Sequence, residues 1–98
     1  MPTEVLSIAV FEPYPGEEEA CLATLRELIG ILASRNYSQD FIYRDRVEPD
    51  SFVLVRRWTS DAARREAQED PAAQKCWARL GHQMTILKVY ESLDEVKL

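Results

Sequence analysis

Three residues in the middle of the sequence have side chains suited to contacting a small molecule: Tyr43, Arg56 and Trp58. Arg56 and Trp58 lie two positions apart in an alternating stretch, so in a β-strand their side chains share a face, about 6–7 Å apart along it. An indole beside a guanidinium suits a flat anionic aromatic molecule, because the ring can stack while the charge meets the anion. A tyrosine hydroxyl can hydrogen-bond a substrate oxygen. These residues predict a pocket for a small aromatic or anionic molecule.

Each of these residues also has a structural interpretation. Trp58 can fill the corner between a strand and the following helix, since aromatic side chains bury large areas with or without a ligand. Arg56 can form a salt bridge to an acid on the following helix, such as Glu66 or Glu69. Tyr43 can bury its ring and leave its hydroxyl in water. The sequence leaves both interpretations open.

General-base chemistry has one weak candidate, His82, which is the only histidine of the chain and has an ordinary pKa near neutrality. It follows Gly81 at a predicted helix end, where an exposed histidine that contacts terminal carbonyls is the alternative. Cys21 and Cys76 fall on apolar helical stripes and are expected to be buried free thiols. The spacing shows neither a nucleophile–base pair nor a metal site, so we expect no metal and no cofactor.

The composition predicts one globular domain that covers residues 1–98. A hydrophobic fraction of 46% and a charged fraction of 30% exclude a disordered tail. The net charge of −5 disfavours nucleic-acid binding. The first residues do not form a signal peptide, and no apolar run approaches the roughly 20 residues of a membrane span. We therefore expect a cytoplasmic protein with no membrane partner.

The segment 44–65 differs from the rest of the chain in charge, because it carries six arginines and four acidic residues. A local excess of positive charge can attract an anionic small molecule. The alternative is that these arginines form surface or inter-subunit ion pairs of small net energy.

Hydrophobic periodicity predicts the element order β-α-β-β-α-β. Helical spacing of apolar residues predicts a helix over 17–34, and Pro71 is expected to begin a second segment of a split helix that ends at Gly81. A turn around Pro49 joins two strands into an antiparallel hairpin. The four predicted strands cover residues 4–11, 38–46, 51–59 and 84–92.

Both faces of the predicted sheet are apolar. Right-handed crossovers place both helices on one face, so the other face would expose more apolar area than a monomer tolerates. A second copy related by a two-fold axis is the expected cover, which predicts a homodimer through the helix-free sheet face. By residue parity, one face carries Leu6, Ile8, Val10, Ile42, Val53, Val55, Leu87 and Val89, and the other carries Ala9, Phe11, Phe41, Tyr43, Phe52, Leu54, Trp58, Ile86 and Tyr90.

Over residues 5–92 the sequence resembles the antibiotic biosynthesis monooxygenase domain family of the dimeric α+β barrel superfamily. The resemblance is most specific in YRD at 43–45, EPD at 48–50 and FVLVRRWTS at 52–60, and the Asp-Pro break at 70–71 also fits. It implies an α+β, ferredoxin-like fold in which a four-stranded antiparallel sheet carries two helices on one face. In such families two sheets close into a barrel, and a pocket lies between each sheet and its helices.

Members of this family oxygenate phenolic or quinol substrates with O₂ and without metal or flavin, degrade heme, or isomerise small molecules. Many members have histidines on the second helix at positions that are Ala67 and Ala72 here. The iron-ligand position of heme-degrading members corresponds approximately to Trp77, and the first strand has no asparagine. The sequence therefore does not predict heme ligation.

Two functions of different classes follow from these observations. The first is a cofactor-independent, monooxygenase-like enzyme that binds a phenolic or quinol-type substrate at Trp58, Arg56 and Tyr43. The second is a non-catalytic small-molecule-binding or accessory dimer that retains the fold. The missing histidines favour the second, and an intact cavity with an ordered ligand between the sheet and the helices would disfavour it.

Overall fold

The computed structural model of the chain describes residues 4–98. Within them, the predicted order is confirmed, with the second helix split in two as expected from Pro71. No helix in this part of the chain is long and apolar enough to cross a membrane. The elements are β1 (Val5–Pro13), α1 (Glu18–Ser34), β2 (Ser38–Arg44), β3 (Phe52–Trp58), α2 (Asp61–Gln68), α3 (Pro71–Leu80) and β4 (Met84–Leu93).

Local capping explains where the two short helices begin. The Ser60 side chain accepts a hydrogen bond from the Ala63 backbone N–H at 3.0 Å, which makes Ser60 the N-cap of α2. The Asp70 side chain accepts one from the Ala72 N–H at 2.9 Å, and Pro71 occupies the first position of α3. These caps mark where α2 and α3 begin, so the chain forms two helices instead of one.

The four strands form one antiparallel sheet in the order β2-β3-β1-β4. One face, here called the helix-covered face, packs against α1 and α3 through a buried core. Strand β3 contributes alternate residues to this face, because successive side chains of a strand point in opposite directions. The fully buried members of the core include Phe11, Cys21, Leu25, Leu28, Leu32 and Cys76.

The register corrects the face assignment that parity alone suggested for two strands. In β2, Ile42 lies opposite Leu54, whereas Tyr43 lies opposite Val53. Directly opposed residues share a face, so Ile42 belongs to the helix-covered face and Tyr43 to the other. The reason is the length of the connection between β2 and β3. It places even-numbered residues of β2 opposite even-numbered residues of β3, and odd-numbered residues opposite odd-numbered ones.

Irregularities in the pairing of β1 with β4 have a similar effect. Val89 lies opposite Ala9 and therefore on the helix-covered face, whereas Tyr90 lies opposite Ile8 on the other. A β-bulge shifts parity by one residue, so Ile86 and Val89 share a face although their numbers differ in parity. Both remain about half exposed, at 55% and 50%, because the helices leave the β4 edge uncovered.

The opposite side of the sheet, here called the helix-free face, is apolar as predicted. Its centre consists of aliphatic residues of β1 and β3, and aromatic residues of β2 and β4 surround it. Tyr43 is 58% exposed and Tyr90 is 42% exposed. The apolar residues of this face include Leu6, Ile8, Val10, Phe41, Tyr43, Val53, Val55 and Tyr90, and its polar residues include Gln39, Arg57 and Lys88.

Candidate functional site

A cavity of about 210 Å³ lies between the helix-covered face and the helices. Its walls are mostly apolar, and the half-exposed Ile86 and Val89 place part of its rim at the β4 edge. Helices supply Leu25, Leu28, Arg64, Gln68, Trp77 and Leu80, and the helix-covered face and the β4 edge supply Ser7, Ala9, Leu54, Arg56, Trp58, Met84, Ile86, Val89 and Glu91.

Arg56 brings a buried positive charge to this cavity. It lies on the helix-covered face of β3, opposite Ser7 on β1 and Asp40 on β2, and is only 7% exposed. Its Nε donates a hydrogen bond to Asp40 Oδ2 at 2.7 Å. Its Nη2 is buried, and no atom of residues 4–98 accepts a hydrogen bond from it. The guanidinium is thus held at one edge and keeps a donor for another partner.

The acid that pairs with Arg56 is not on a helix. Glu66 and Glu69 were the sequence candidates, and the structure assigns the bond to Asp40 on the neighbouring strand instead. Ser38 Oγ donates to Asp40 Oδ1 at 2.8 Å, and the Asp40 side chain is 1% exposed. Both carboxylate oxygens therefore have a partner, which orients the group that holds Arg56.

Trp58 is oriented by hydrogen bonds beside Arg56. Its Nε1 donates to Ser7 Oγ at 2.8 Å, and Ser7 Oγ donates to the Glu91 carbonyl at 2.5 Å. The Arg56 guanidinium carbon lies 5.4 Å from the centre of the Trp58 ring, within cation–π range. Trp58 is 4% exposed, so it is a core residue and a lining residue together.

The structure brings Arg56 and Trp58 together but leaves Tyr43 and His82 apart from them. Tyr43 lies on the helix-free face, because the register of β2 with β3 places it opposite Val53. His82 is exposed in the turn after α3, and its backbone N–H donates to the Arg79 carbonyl at 3.0 Å. Neither residue lines the cavity.

The two cysteines are buried and free, as expected. Burial is the main cause that raises the pKa of Cys21 to about 11. Burial also raises the pKa of Cys76, whose Sγ donates to Glu27 Oε2 at 3.2 Å. Raised pKa values keep both sulfurs as thiols at neutral pH, so neither is an activated nucleophile. Among residues 4–98 there is also no cluster of three or more metal-ligating side chains.

Most arginines of the segment 44–65 form ion pairs, as the second interpretation of that segment proposed. Arg44 forms an ion pair with Glu18 at 3.0 Å, and Arg57 forms one with Glu4 at 3.0 Å. The side chains of all four residues are exposed. The Arg44 guanidinium lowers the pKa of the Glu18 carboxyl through its hydrogen bond. Arg56 differs from these arginines because its pair is buried.

Several residues of the site had no distinct signal in the sequence. Asp40 and Ser7 reach Arg56 and Trp58 across strands, and such contacts depend on register rather than on spacing. Trp77 reaches the cavity from α3, and Arg64 reaches it from α2. Arg64 belongs to the arginine-rich segment 44–65, but charge alone did not distinguish it from the other arginines there. Helical periodicity could have indicated Trp77, which lies four positions after the buried Ala73.

A family model described as antibiotic biosynthesis monooxygenase matches residues 5–79. A comparison of the sequence with curated proteins gives no significant match. Rv0793 from Mycobacterium tuberculosis is 24% identical, with a TM-score of 0.76 over 97% of this chain and 100% of that one. PA3566 from Pseudomonas aeruginosa is 23% identical, with a TM-score of 0.78 over 99% and 98%.

A variant of SnoaB, a cofactor-independent oxygenase from Streptomyces nogalater, has a TM-score of 0.80 at 18% identity, covering 96% of this chain and 97% of that one. These solved structures share the fold of the chain, in agreement with the four-stranded sheet and its helical layer. The family match spans the first strand through α3, which includes the cavity-lining Arg56 and Trp58. The chain belongs to the antibiotic biosynthesis monooxygenase family.

Proposed function

We propose that the chain is a monooxygenase that inserts one oxygen atom of O₂ into a phenolic or quinol substrate bound in the cavity. The observation that carries the proposal is the buried Arg56, whose Nη2 has no acceptor within residues 4–98. A buried donor without a partner costs about 1–3 kcal/mol, so a bound anion there restores a lost hydrogen bond. The family and the fold shared with a cofactor-independent oxygenase support this reaction class.

The size of the cavity suits an aromatic substrate. A dry protein cavity of about 150 Å³ holds a benzene ring. The cavity here has about 210 Å³, which allows one ring with substituents, and a second ring can extend past the β4 edge. Two indoles, Trp58 and Trp77, line it and offer surfaces for stacking.

Oxygenation of this kind needs an electron-rich anion. A phenolate transfers an electron to O₂, the two radicals join at the ring carbon para to the oxygen, and the hydroperoxide loses water to give a quinone. One phenol and one O₂ thus yield one quinone and one water, with no external reductant. The role of the protein is to stabilise the phenolate and exclude water, and the Arg56 guanidinium is the group that would bind the phenolate oxygen.

The proton of the phenol needs an acceptor. His82 lies outside the cavity, and Glu91 is the only carboxylate among the described lining residues. Glu91 lies on the exposed β4 edge, so it could pass the proton to water. We therefore assign the proton transfer to Glu91 and not to His82.

The position of His82 also favours the second function, a binding protein without catalysis. No side chain with an ordinary pKa near neutrality lines the cavity within residues 4–98. Both functions need Arg56 to bind an anion. They differ in that only the enzyme consumes O₂.

We further propose a homodimer through the helix-free face. This face exposes aromatic and aliphatic side chains over four strands, and the related solved structures share the same sheet. A two-fold axis would cover it with an identical surface. The interface and the cavity would then lie on opposite faces of one sheet.

The test is incubation with 1,5-dihydroxynaphthalene under ¹⁸O₂, with a metal chelator present. The enzyme should release 5-hydroxy-1,4-naphthoquinone with one ¹⁸O atom, faster than the spontaneous reaction. Arg56→Gln should reduce the rate by about 100-fold, from loss of a charge-assisted hydrogen bond to the developing charge. Arg57→Gln is the matched control, since Arg57 is adjacent on β3 and faces the other side.

If the wild-type protein gives no labelled quinone but binds the phenol through Arg56, the non-catalytic function replaces the proposal. If Arg56→Gln and Arg57→Gln lower the rate equally, Arg56 does not act on the substrate.

A further inference from the structure

A second arginine reaches the cavity from the helical side. Arg64 lies on α2 and lines the cavity, and its side chain is 22% exposed. Its guanidinium is bound to Asp61, one turn earlier, with Nε 3.1 Å from Oδ1. Arg65 approaches the same carboxylate, with Nη2 3.6 Å from Oδ2. One carboxylate therefore serves two guanidinium groups, so Asp61 neutralises them only in part.

Two guanidinium groups therefore line the cavity, each held by a carboxylate, Asp40 or Asp61, that is not among the lining residues. Arg56 and Arg64 are positive, and Glu91 is the one acid among the described lining residues. Arg56 uses one donor on Asp40 and keeps Nη2 without an acceptor within residues 4–98. Arg64 is more exposed than Arg56, at 22% against 9% of the side chain. A buried and a less buried guanidinium in one cavity suit a ligand with two acceptor groups.

We propose that the substrate is an aromatic hydroxy acid, whose phenolic oxygen binds Arg56 and whose carboxylate binds Arg64. This inference rests on the proposed function for the role of Arg56, and it adds a specificity-determining residue, Arg64. The phenolic end takes the buried position because that is where water must be excluded from the reaction. The carboxylate takes the more exposed position because a full charge loses less hydration there.

Arg64 is well suited to select a carboxylate rather than to react with it. A guanidinium presents pairs of parallel N–H groups that match the two oxygens of a carboxylate. Asp61 binds Arg64 through Nε and Nη2, at 3.1 Å in both cases, which holds the group at one edge. The opposite edge remains for a ligand, in the same way that Asp40 holds one edge of Arg56.

The test compares two ligands of the same size and shape, 4-hydroxybenzoate and 4-hydroxybenzamide, by isothermal titration calorimetry at pH 7. The wild-type protein should bind the carboxylate at least about tenfold more tightly than the amide, as expected for a hydrogen bond between charged groups. In Arg64→Gln the two ligands should bind equally. In the matched control Arg65→Gln the preference should remain, since Arg65 shares Asp61 and lies outside the cavity. Thermal melting confirms that each variant is folded.

The outcomes separate this inference from the proposed function. If the two ligands bind equally to the wild-type protein and Arg56→Gln weakens both, the carboxylate site is wrong and the phenol site stands. If Arg56→Gln, and not Arg64→Gln, removes the preference, the carboxylate binds Arg56 and the assignment is overturned. If neither ligand binds the wild-type protein up to its solubility, both the inference and the phenol site fail.

Discussion

Two arginines that follow each other on β3 show how differently the two faces of the sheet are built. Arg56 points to the helix-covered face, where its side chain is 9% exposed and pairs with an Asp40 that is 1% exposed. Arg57 points to the helix-free face, where it is 45% exposed and pairs with a Glu4 that is 57% exposed. The chemistry of the two pairs is the same, and only their surroundings differ.

The comparison extends to the faces as a whole. The helix-covered face contains polar groups with fixed partners, such as the buried side chain of Asp40 and the partly buried Ser7, around a cavity. The helix-free face has aliphatic residues at its centre and tyrosines at two of its strands. Fixed polar groups around a cavity suit recognition of a small molecule, whereas a broad apolar surface suits another protein surface. The two proposals, a ligand cavity and a dimer interface, thus concern opposite faces of one sheet.

The largest expected effect is on the helix-free face. Val55→Lys places an ammonium group at its centre, between Ile8 and Phe41. In a two-fold dimer both copies carry the charge into the interface, and uncompensated buried charge is strongly unfavourable. We expect the dissociation constant to rise by at least about a thousandfold. Sedimentation at micromolar concentration should give about twice the chain mass for the wild-type protein and the chain mass for the variant.

Val47→Lys is the control, because Val47 is 84% exposed in the loop between β2 and β3. This variant should sediment like the wild-type protein. A wild-type protein that is monomeric at these concentrations would refute the dimer.

The next effect is on the buried ion pair of the helix-covered face. Asp40→Ala leaves the Arg56 charge buried without its carboxylate, and breaking such a pair typically costs about 3–5 kcal/mol. The free energy of unfolding, from denaturant titration, should fall by this amount. Glu4→Ala removes the acid of the exposed pair and should change it by less than about 1 kcal/mol. Equal losses in the two variants would show that the two faces do not differ as described.

A third, smaller effect concerns the orientation of Trp58. Ser7→Ala removes the acceptor of the buried indole N–H, which should lower the free energy of unfolding by about 1–3 kcal/mol. The near-ultraviolet circular dichroism of the indole should weaken, since the ring loses its fixed orientation. Ser34→Ala is the control, because Ser34 Oγ donates only to the Ile31 carbonyl on the exposed end of α1. An unchanged spectrum in Ser7→Ala would mean that packing alone orients Trp58.

The sequence was sufficient for the elements and for part of the site. Apolar periodicity and the Asp-Pro break located α1 and the start of α3, because these signals are local. Arg56 and Trp58 could be placed on one face because they are two residues apart on one strand. The face of Tyr43 could not be predicted in this way, because it depends on how β2 pairs with β3 across a loop. A shift of this pairing by one residue moves Tyr43 to the other face of the sheet.

The remaining residues of the site depend on tertiary contacts. Asp40 meets Arg56 only through the pairing of β2 with β3, whereas the sequence had indicated helical acids such as Glu66. Val89 faces the cavity because of an irregularity in β4 pairing that has no glycine or proline to mark it. Cavity volume is likewise a property of packed side chains.

The smallest effect concerns the helical layer that covers one face. Asp70 is the N-cap of α3, and Arg35, just after α1, forms an ion pair with it. The hydrogen bond from Arg35 is the main cause that lowers the pKa of Asp70. A carboxyl group whose pKa is lower in the folded chain than in the unfolded chain stabilises the fold. This stabilisation is fully present at pH values above the pKa of the unfolded chain. That stabilisation is lost as the pH falls through the folded pKa.

Asp70→Asn should therefore be less stable than the wild-type protein at pH 6–7, and the difference should shrink as the pH falls below about 4, the ordinary range of an aspartate. Asparagine keeps an oxygen for the Ala72 N–H, so the substitution removes the charge and retains the cap. Thermal melting of both proteins between pH 7 and pH 2 measures the difference. Glu19→Gln, an exposed position in the first turn of α1, should show no comparable convergence. If the Asp70→Asn difference is constant down to pH 2, the ion pair between Asp70 and Arg35 does not stabilise the helical layer.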